Sequence, residues 1–151
     1  MRVLSLFDGM SCGQYTLNKL GIPVEKYYAS EIDKFAIKIA KKNFPNTIHL
    51  GDVKDIDNST FYSLHQSVLI DDDIDLLLGG SPCQSFSFAG NQLNFDDPRG
   101  KLFFEFVRLK DTLKPKYFLL ENVKMKKEYQ DVITKYLGVK PIEINSKYFS
   151  A

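Results

Sequence analysis

This chain is built from short apolar runs, each halted by a glycine or an acidic residue. Residues 3–7 run into Asp8-Gly9, residues 26–30 into Glu31, residues 47–50 into Gly51-Asp52, residues 75–78 into Gly79-Gly80, and residues 117–120 into Glu121. Runs of four or five residues suit buried strands and are too short for stable helices. The stretches between them carry helical signals. One helix is expected over 13–20, closed by Gly21 and Pro23. A second runs from an Asp33 cap to Asn43 with Phe35, Ala36, Ile39 and Ala40 on its inner face, and Pro45 ends it. Further helices are expected over 58–66, 101–113 and 128–137, and a sixth strand over 141–144. Strands alternating with helix-length crossovers cannot pair as hairpins, so the sequence predicts an α/β fold: a mostly parallel sheet with helices on both faces.

With 151 residues, 44% apolar side chains and a net charge of +1, the chain has enough material for one well-filled core. No apolar run reaches membrane-spanning length, and residues 1–7 are interrupted by Asp8 too early to act as a secretory signal, so a cytoplasmic protein is expected. Cys12 and Cys83 lie far apart with no paired spacing. His49 and His65 form no helical pair, so neither a disulfide framework nor a metal site is indicated. The charge is uneven. Residues 1–98 hold 8 Lys and Arg against 13 Asp and Glu, whereas residues 99–151 hold 12 against 6, which suits a later half turned towards phosphates.

Ligands in open parallel sheets bind beyond the carboxyl ends of the strands. Those ends carry Asp8, Glu31, Asp52, Cys83 and Glu121. The first turn, Phe7-Asp8-Gly9-Met10-Ser11-Cys12-Gly13, bears glycine but matches neither the dinucleotide nor the phosphate-loop pattern, and Asp8 would repel a pyrophosphate. A cationic tail suits that carboxylate better, and S-adenosylmethionine offers both a sulfonium and an ammonium. Glu31 stands where a carboxylate takes ribose hydroxyls, and Asp52 where one takes an adenine amino group. Singly, each acid is more often a cap or turn residue. Three at successive strand ends point to a site. In Gly79-Gly80-Ser81-Pro82-Cys83-Gln84, the glycines are expected to turn the chain sharply and Pro82 to stiffen the loop that presents the Cys83 thiol.

In order along the chain, Phe7-Asp8-Gly9 with Gly13, Ser30-Glu31-Ile32-Asp33, Gly51-Asp52-Val53, Gly79-Gly80-Ser81-Pro82-Cys83-Gln84 and Glu121-Asn122-Val123 resemble the motifs of the cytosine-C5 DNA methyltransferases. The first block and Gly100-Lys101-Leu102-Phe103-Phe104-Glu105-Phe106 look closer to the animal de novo branch, and to phage enzymes similar to it, than to common bacterial restriction-linked members. The resemblance implies a Rossmann-like methyltransferase fold that binds S-adenosyl-L-methionine and acts on cytosine in DNA. It assigns the cofactor to Phe7, Asp8, Gly9, Gly13, Glu31, Ile32, Asp52, Val53 and Pro82, with Phe7 on the adenine ring. Cys83 is then the nucleophile and Glu121 its acidic partner, a role that burial beside the sheet edge would favour.

Those roles are chemically coherent. Cytosine C5 is a poor nucleophile until a thiolate adds at C6, and a carboxyl group at N3 assists as negative charge builds there. The base must leave the duplex stack to be reached, and residues 85–100, with Phe86, Phe88, Asn91 and Arg99, read as a lid. The resemblance also implies later segments: a Gln-x-Arg-x-Arg block, a target-recognition region and a closing cofactor segment. None is found within residues 1–151. The whole span 1–151 therefore reads as a cofactor-binding and catalytic core, its sheet lacking the strand expected beside residues 117–120. A complementing C-terminal segment or subunit is one expectation. A truncated or split non-catalytic cofactor-binding module acting through a partner is the other, and a transfer-RNA substrate is a subsidiary one.

Overall fold

The computed structural model describes residues 1–57, 74–80 and 101–148. Strand β1 (Arg2–Leu6) leads to helix α1 (Cys12–Lys19), and β2 (Lys26–Ser30) to α2 (Lys34–Asn43). Then come β3 (Ile48–Gly51), a 3-10 turn at Val53–Asp55, β4 (Leu76–Gly80), α3 (Leu102–Leu113), β5 (Tyr117–Glu121) and α4 (Lys127–Leu137). The strands form one sheet in the order β3-β2-β1-β4-β5, with every pairing parallel. Leu4 lies opposite Tyr28 and Leu77, so consecutive residues of each strand divide between the two faces.

Each face has its own core. Leu4, Leu6, Tyr28 and Leu77 pack with Phe103, Phe106 and Leu109 of α3 and with Tyr129, Ile133 and Leu137 of α4. On the opposite face Val3, Tyr27 and Ala29 pack with Leu17 of α1. Helices cover both faces, as the βα alternation requires. Phe103 and Phe106 are fully buried, and removing each from water is worth about 2 kcal/mol. Asp33 caps α2, its carboxylate accepting from Phe35 N at 2.7 Å and Ala36 N at 3.2 Å.

Four expectations change on contact with the structure. Gly79 and Gly80 do not turn the chain; both lie within β4, opposite Leu120 and Glu121 of β5. Glycine is needed there for packing, because a Cβ on Gly79 would stand 2.6 Å from Phe106 Cδ2. Phe35 and Ile39 of α2 are 81% and 42% exposed, while Ala40 is fully buried. The helix rests on its small Ala40 with Ala36 and Ile37 half-buried, which turns the apolar pattern away from the stripe expected. Residues 141–144 form no strand, and Ile142 and Ile144 stand exposed; alternation alone makes no strand where no described edge pairs with it. Finally, Phe7 falls outside β1 because its backbone turns left-handed, with φ 57°. The helix expected over 58–66 lies outside the described residues.

His49, on β3 opposite Ala29, buries both ring nitrogens without a hydrogen-bond partner among the described residues. Burial, reinforced by the Lys41 charge and opposed by Asp8, holds its pKa below the ordinary 6.5. A proton refused by the folded chain is accepted by the unfolded one. This contribution to stability is therefore complete above the unfolded value and is lost as pH falls through it.

Two outcomes are expected. Gly79→Ala should destabilise by about 1–3 kcal/mol through overpacking against Phe106, and Phe106→Leu in that background should recover part of the loss, measured by urea unfolding. Between about pH 7.5 and 5.5, wild type should lose more stability than His49→Leu; equal losses would show that this imidazole does not titrate with folding.

Candidate functional site

The loop between β1 and α1 is bent by three alternate residues in the left-handed region: Phe7 at φ 57°, Gly9 at φ 58° and Ser11 at φ 65°. For Phe7 and Ser11 that conformation costs on the order of 1 kcal/mol each, so the surroundings must impose it. They do so through hydrogen bonds to the neighbouring strand ends. Asp8 N donates to Ser30 O at 3.1 Å and Ser11 N to Asp8 O at 3.0 Å. Gly9 N donates to Glu31 Oε2 at 2.8 Å.

The other Glu31 oxygen accepts from Ile32 N at 2.7 Å and Asp33 N at 2.9 Å. One carboxylate thus gathers three backbone N–H groups from two loops. The next strand end is tied in similarly, since Ser30 Oγ donates to the carbonyl of Gly51 at 2.8 Å, where Gly51 itself has φ 81°. Asp52 follows and caps the 3-10 turn, accepting from Lys54 N at 3.0 Å. Asp8, Glu31 and Asp52 therefore stand at the carboxyl ends of three adjacent strands, in loops stitched to one another.

Asp8 is held from beneath. Tyr27 Oη donates to its Oδ1 at 2.8 Å, and Ser11 Oγ donates to Oδ2. Burial above all, then the Asp8 charge, pushes the Tyr27 hydroxyl above its ordinary range, which keeps it a donor. Gly13 leaves room for this contact, because a Cβ there would come within 3.1 Å of Tyr27 Oη. Ile32 is 69% exposed beside Glu31, whereas the Val53 side chain is buried in the core, so only backbone is free to face a ligand at Val53. Its carbonyl is already engaged, accepting from Arg108 Nη2 of α3 at 3.1 Å. Phe7 is partly buried against the main core.

At the far side of the sheet Glu121 ends β5 opposite Gly80. The burial that would favour its role is not found among the described residues; the residue is exposed, because β5 is the edge of the described sheet. Pro82, Cys83 and the lid expected over 85–100 lie outside the described residues. Sequence reasoning missed Tyr27 and Arg108, and it gave no role to Ser11 and Ser30 although both stand in the stretches it singled out. Tyr27 carried a signal of its own: a tyrosine on a buried strand needs a partner for its hydroxyl.

Residues 1–137 match the model of the C-5 cytosine-specific DNA methylases. The chain belongs to that family. An orphan methyltransferase, M.SPRI, of Bacillus phage SPR is 41% identical over 82% of this chain but only 26% of its own length. The type II methyltransferase M1.ScrFI of Lactococcus lactis subsp. cremoris is 50% identical over 67% of this chain and 23% of its own. A solved prophage-encoded protein from E. coli, assigned as a DNA modification methyltransferase, superposes with a TM-score of 0.69 at 30% identity, covering 91% of this chain and 37% of its own. A phage orphan methyltransferase and a bacterial type II methyltransferase are thus both similar to this methylase-family chain, which spans about a quarter of the length of the curated relatives.

The family's cofactor is S-adenosylmethionine, and the residues present fit it. Asp8 makes no ion pair among the described residues and so offers its charge to a cationic tail. Glu31 retains acceptor capacity for hydroxyl donors beyond its three backbone bonds. Glu31→Ala should strand three donors, costing about 1–3 kcal/mol in stability and at least tenfold in cofactor affinity. Urea unfolding and calorimetry read the two effects. Unchanged values in both would show that the clamp does not order the site.

Proposed function

We propose that this chain carries the cofactor site and the nucleophile of an enzyme that methylates cytosine at C5 in DNA. The observation that carries the reading is the row of three stitched carboxylates at successive strand ends, within a family whose motifs run in order along the chain. Asp8, Glu31, Ile32 and the Asp52 carboxylate, with the Phe7 ring and the backbone at Gly9 and Val53, hold S-adenosylmethionine. That group, when bound, supplies an electrophilic methyl.

The remaining chemistry belongs to the chain. The Cys83 thiolate adds to C6, and the C5–C6 electron pair shifts onto C5, the carbon to be methylated. Glu121 supplies a proton or hydrogen bond at N3 as charge spreads there. After methylation a solvent water accepts the C5 proton, the C5–H electron pair re-forms the C5–C6 double bond, and the thiolate leaves C6, which restores the ring. The cytosine has to be flipped out to meet these groups, at a cost of a few kcal/mol. The excess of lysine and arginine in residues 99–151 favours contact with phosphates.

The edge that β5 forms among the described residues supports a second element of the reading. Tyr117 and Leu119 are 54% and 57% exposed there, and an unpaired apolar edge is a template for another strand. A complementing segment, in the same polypeptide or in a partner, completes the sheet beside β5 and encloses Glu121. A non-catalytic cofactor-binding module is the competing reading, and the same edge would be its docking strand.

Three measurements discriminate. Calorimetry should show S-adenosylmethionine binding to the 151-residue chain, with affinity reduced by Glu31→Ala. With 5-fluorocytosine duplex, cofactor and a complementing segment, a covalent adduct should form that is lost in Cys83→Ser and kept in Cys12→Ser. Residues 1–151 alone should transfer labelled methyl at least a hundredfold more slowly than the complemented protein, because a misplaced nucleophile loses about that much. An adduct that survives Cys83→Ser would overturn the nucleophile, and absence of cofactor binding would overturn the whole reading.

A further inference from the structure

Tyr27 belongs to none of the motifs, yet its hydroxyl makes one of the buried polar contacts of the site. It is only 2% exposed, in the middle of the sheet under α1. Its ring packs with Val3, Leu17 and Ala29, so the apolar part needs no functional explanation. The hydroxyl does. It passes beneath Gly13, where any side chain would crowd it, and donates to Asp8 Oδ1 at 2.8 Å.

Among the described residues, the result is a half-buried carboxylate supported only by neutral donors. Tyr27 occupies one oxygen and Ser11 the other, while no lysine, arginine or histidine among the described residues pairs with either. A carboxylate has about four lone-pair positions, so two stay open, and the two hydroxyls fix the rotation that aims them. A charge so placed favours a cation from outside the chain.

Resting on the cofactor reading above, we propose that Tyr27 is a positioning residue: through Asp8 it fixes recognition of the ammonium-bearing tail of the cofactor and leaves adenosine recognition untouched. The division of labour is spatial. Glu31 and Asp52 stand at the ends of β2 and β3, whereas Asp8 stands at the end of β1, and Tyr27 touches only Asp8 among the three. Removing its hydroxyl frees the Asp8 carboxylate to rotate and changes nothing at the other two strand ends.

Calorimetry with two ligands separates this role from mere support of the fold. S-adenosylhomocysteine carries the amino-acid tail; 5′-methylthioadenosine has the same nucleoside and none of the tail. In the 151-residue chain Tyr27→Phe should weaken S-adenosylhomocysteine about tenfold, as expected for a lost hydrogen bond to a charged group, and leave methylthioadenosine within about twofold. Asp8→Asn should give the same tail-specific loss, and adding Tyr27→Phe to it should cost no further affinity. Should Tyr27→Phe fail to fold, Asp8→Asn alone decides, by showing or lacking the tail-specific loss. Equal weakening of both ligands, or none of either, overturns the proposal while leaving the cofactor reading intact. Wild type that binds neither ligand overturns both.

Discussion

The parallel register of the sheet governs everything else in this molecule. Parallel strands cannot be joined by tight hairpins, so each must be followed by a crossover, and all five carboxyl ends are delivered to one edge. The crossovers bury both faces, which explains why β1 and β2 are apolar on alternate and consecutive positions alike. Polar groups that would be unaffordable within the strands therefore collect where the strands stop. Asp8, Glu31, Asp52 and Glu121 are all placed by that rule, whatever their individual chemistry.

Collecting carboxylates at one edge raises a local difficulty, since loops carrying like charges have no reason to approach one another. The structure resolves it with backbone donors. Glu31 is neutralised in part by three N–H groups, one from the β1–α1 loop and two from its own, and the contact draws the two loops together. The left-handed residues Phe7, Gly9 and Ser11 are the geometric counterpart, turning successive amides towards neighbouring acceptors. The strain at Phe7 and Ser11 is offset by these bonds. Arg108 does comparable work from the opposite layer, its guanidinium linking Glu105 of α3 to the carbonyl of Val53. The loop after β3 is thereby fixed to the helix that fills the main core.

Much of this was legible in the residues. Short apolar runs ending in glycine or acid marked the strands, and the order of motifs marked the site, because both depend on local patterns that one dimension preserves. What was not legible depends on contacts between distant residues. The reason for Gly79 is Phe106, 27 positions later, and no turn signal distinguishes a glycine that bends from one that makes room for a ring. The inner face of α2 is set by how closely Ala40 lets the helix approach, which rotates Phe35 into solvent against its hydropathy. Residues 141–144 alternate as a strand should, yet a strand is a relation between two segments, and the described sheet offers them no partner. Tyr27 looked like core and is core; its hydroxyl's destination is visible only once Asp8 lies above it.

The two halves of the site differ in how far the chain itself completes them. On the β1–β2–β3 side the acids are interlinked, their loops are strained into place, and their supporting hydroxyls are buried, so the arrangement is preorganised before any ligand arrives. On the β4–β5 side Glu121 is exposed at the edge of the described sheet, with Tyr117 and Leu119 exposed beside it. A carboxyl group in water has no directional preference and competes with solvent for any hydrogen bond it makes, so it works as an acid–base partner only when enclosed. Cofactor recognition is thus a property the described residues can support through their own hydrogen bonds. In the proposed reaction, an acid–base role for Glu121 calls for a further surface against β5, because among the described residues that carboxylate is exposed and the outer side of the strand is unpaired.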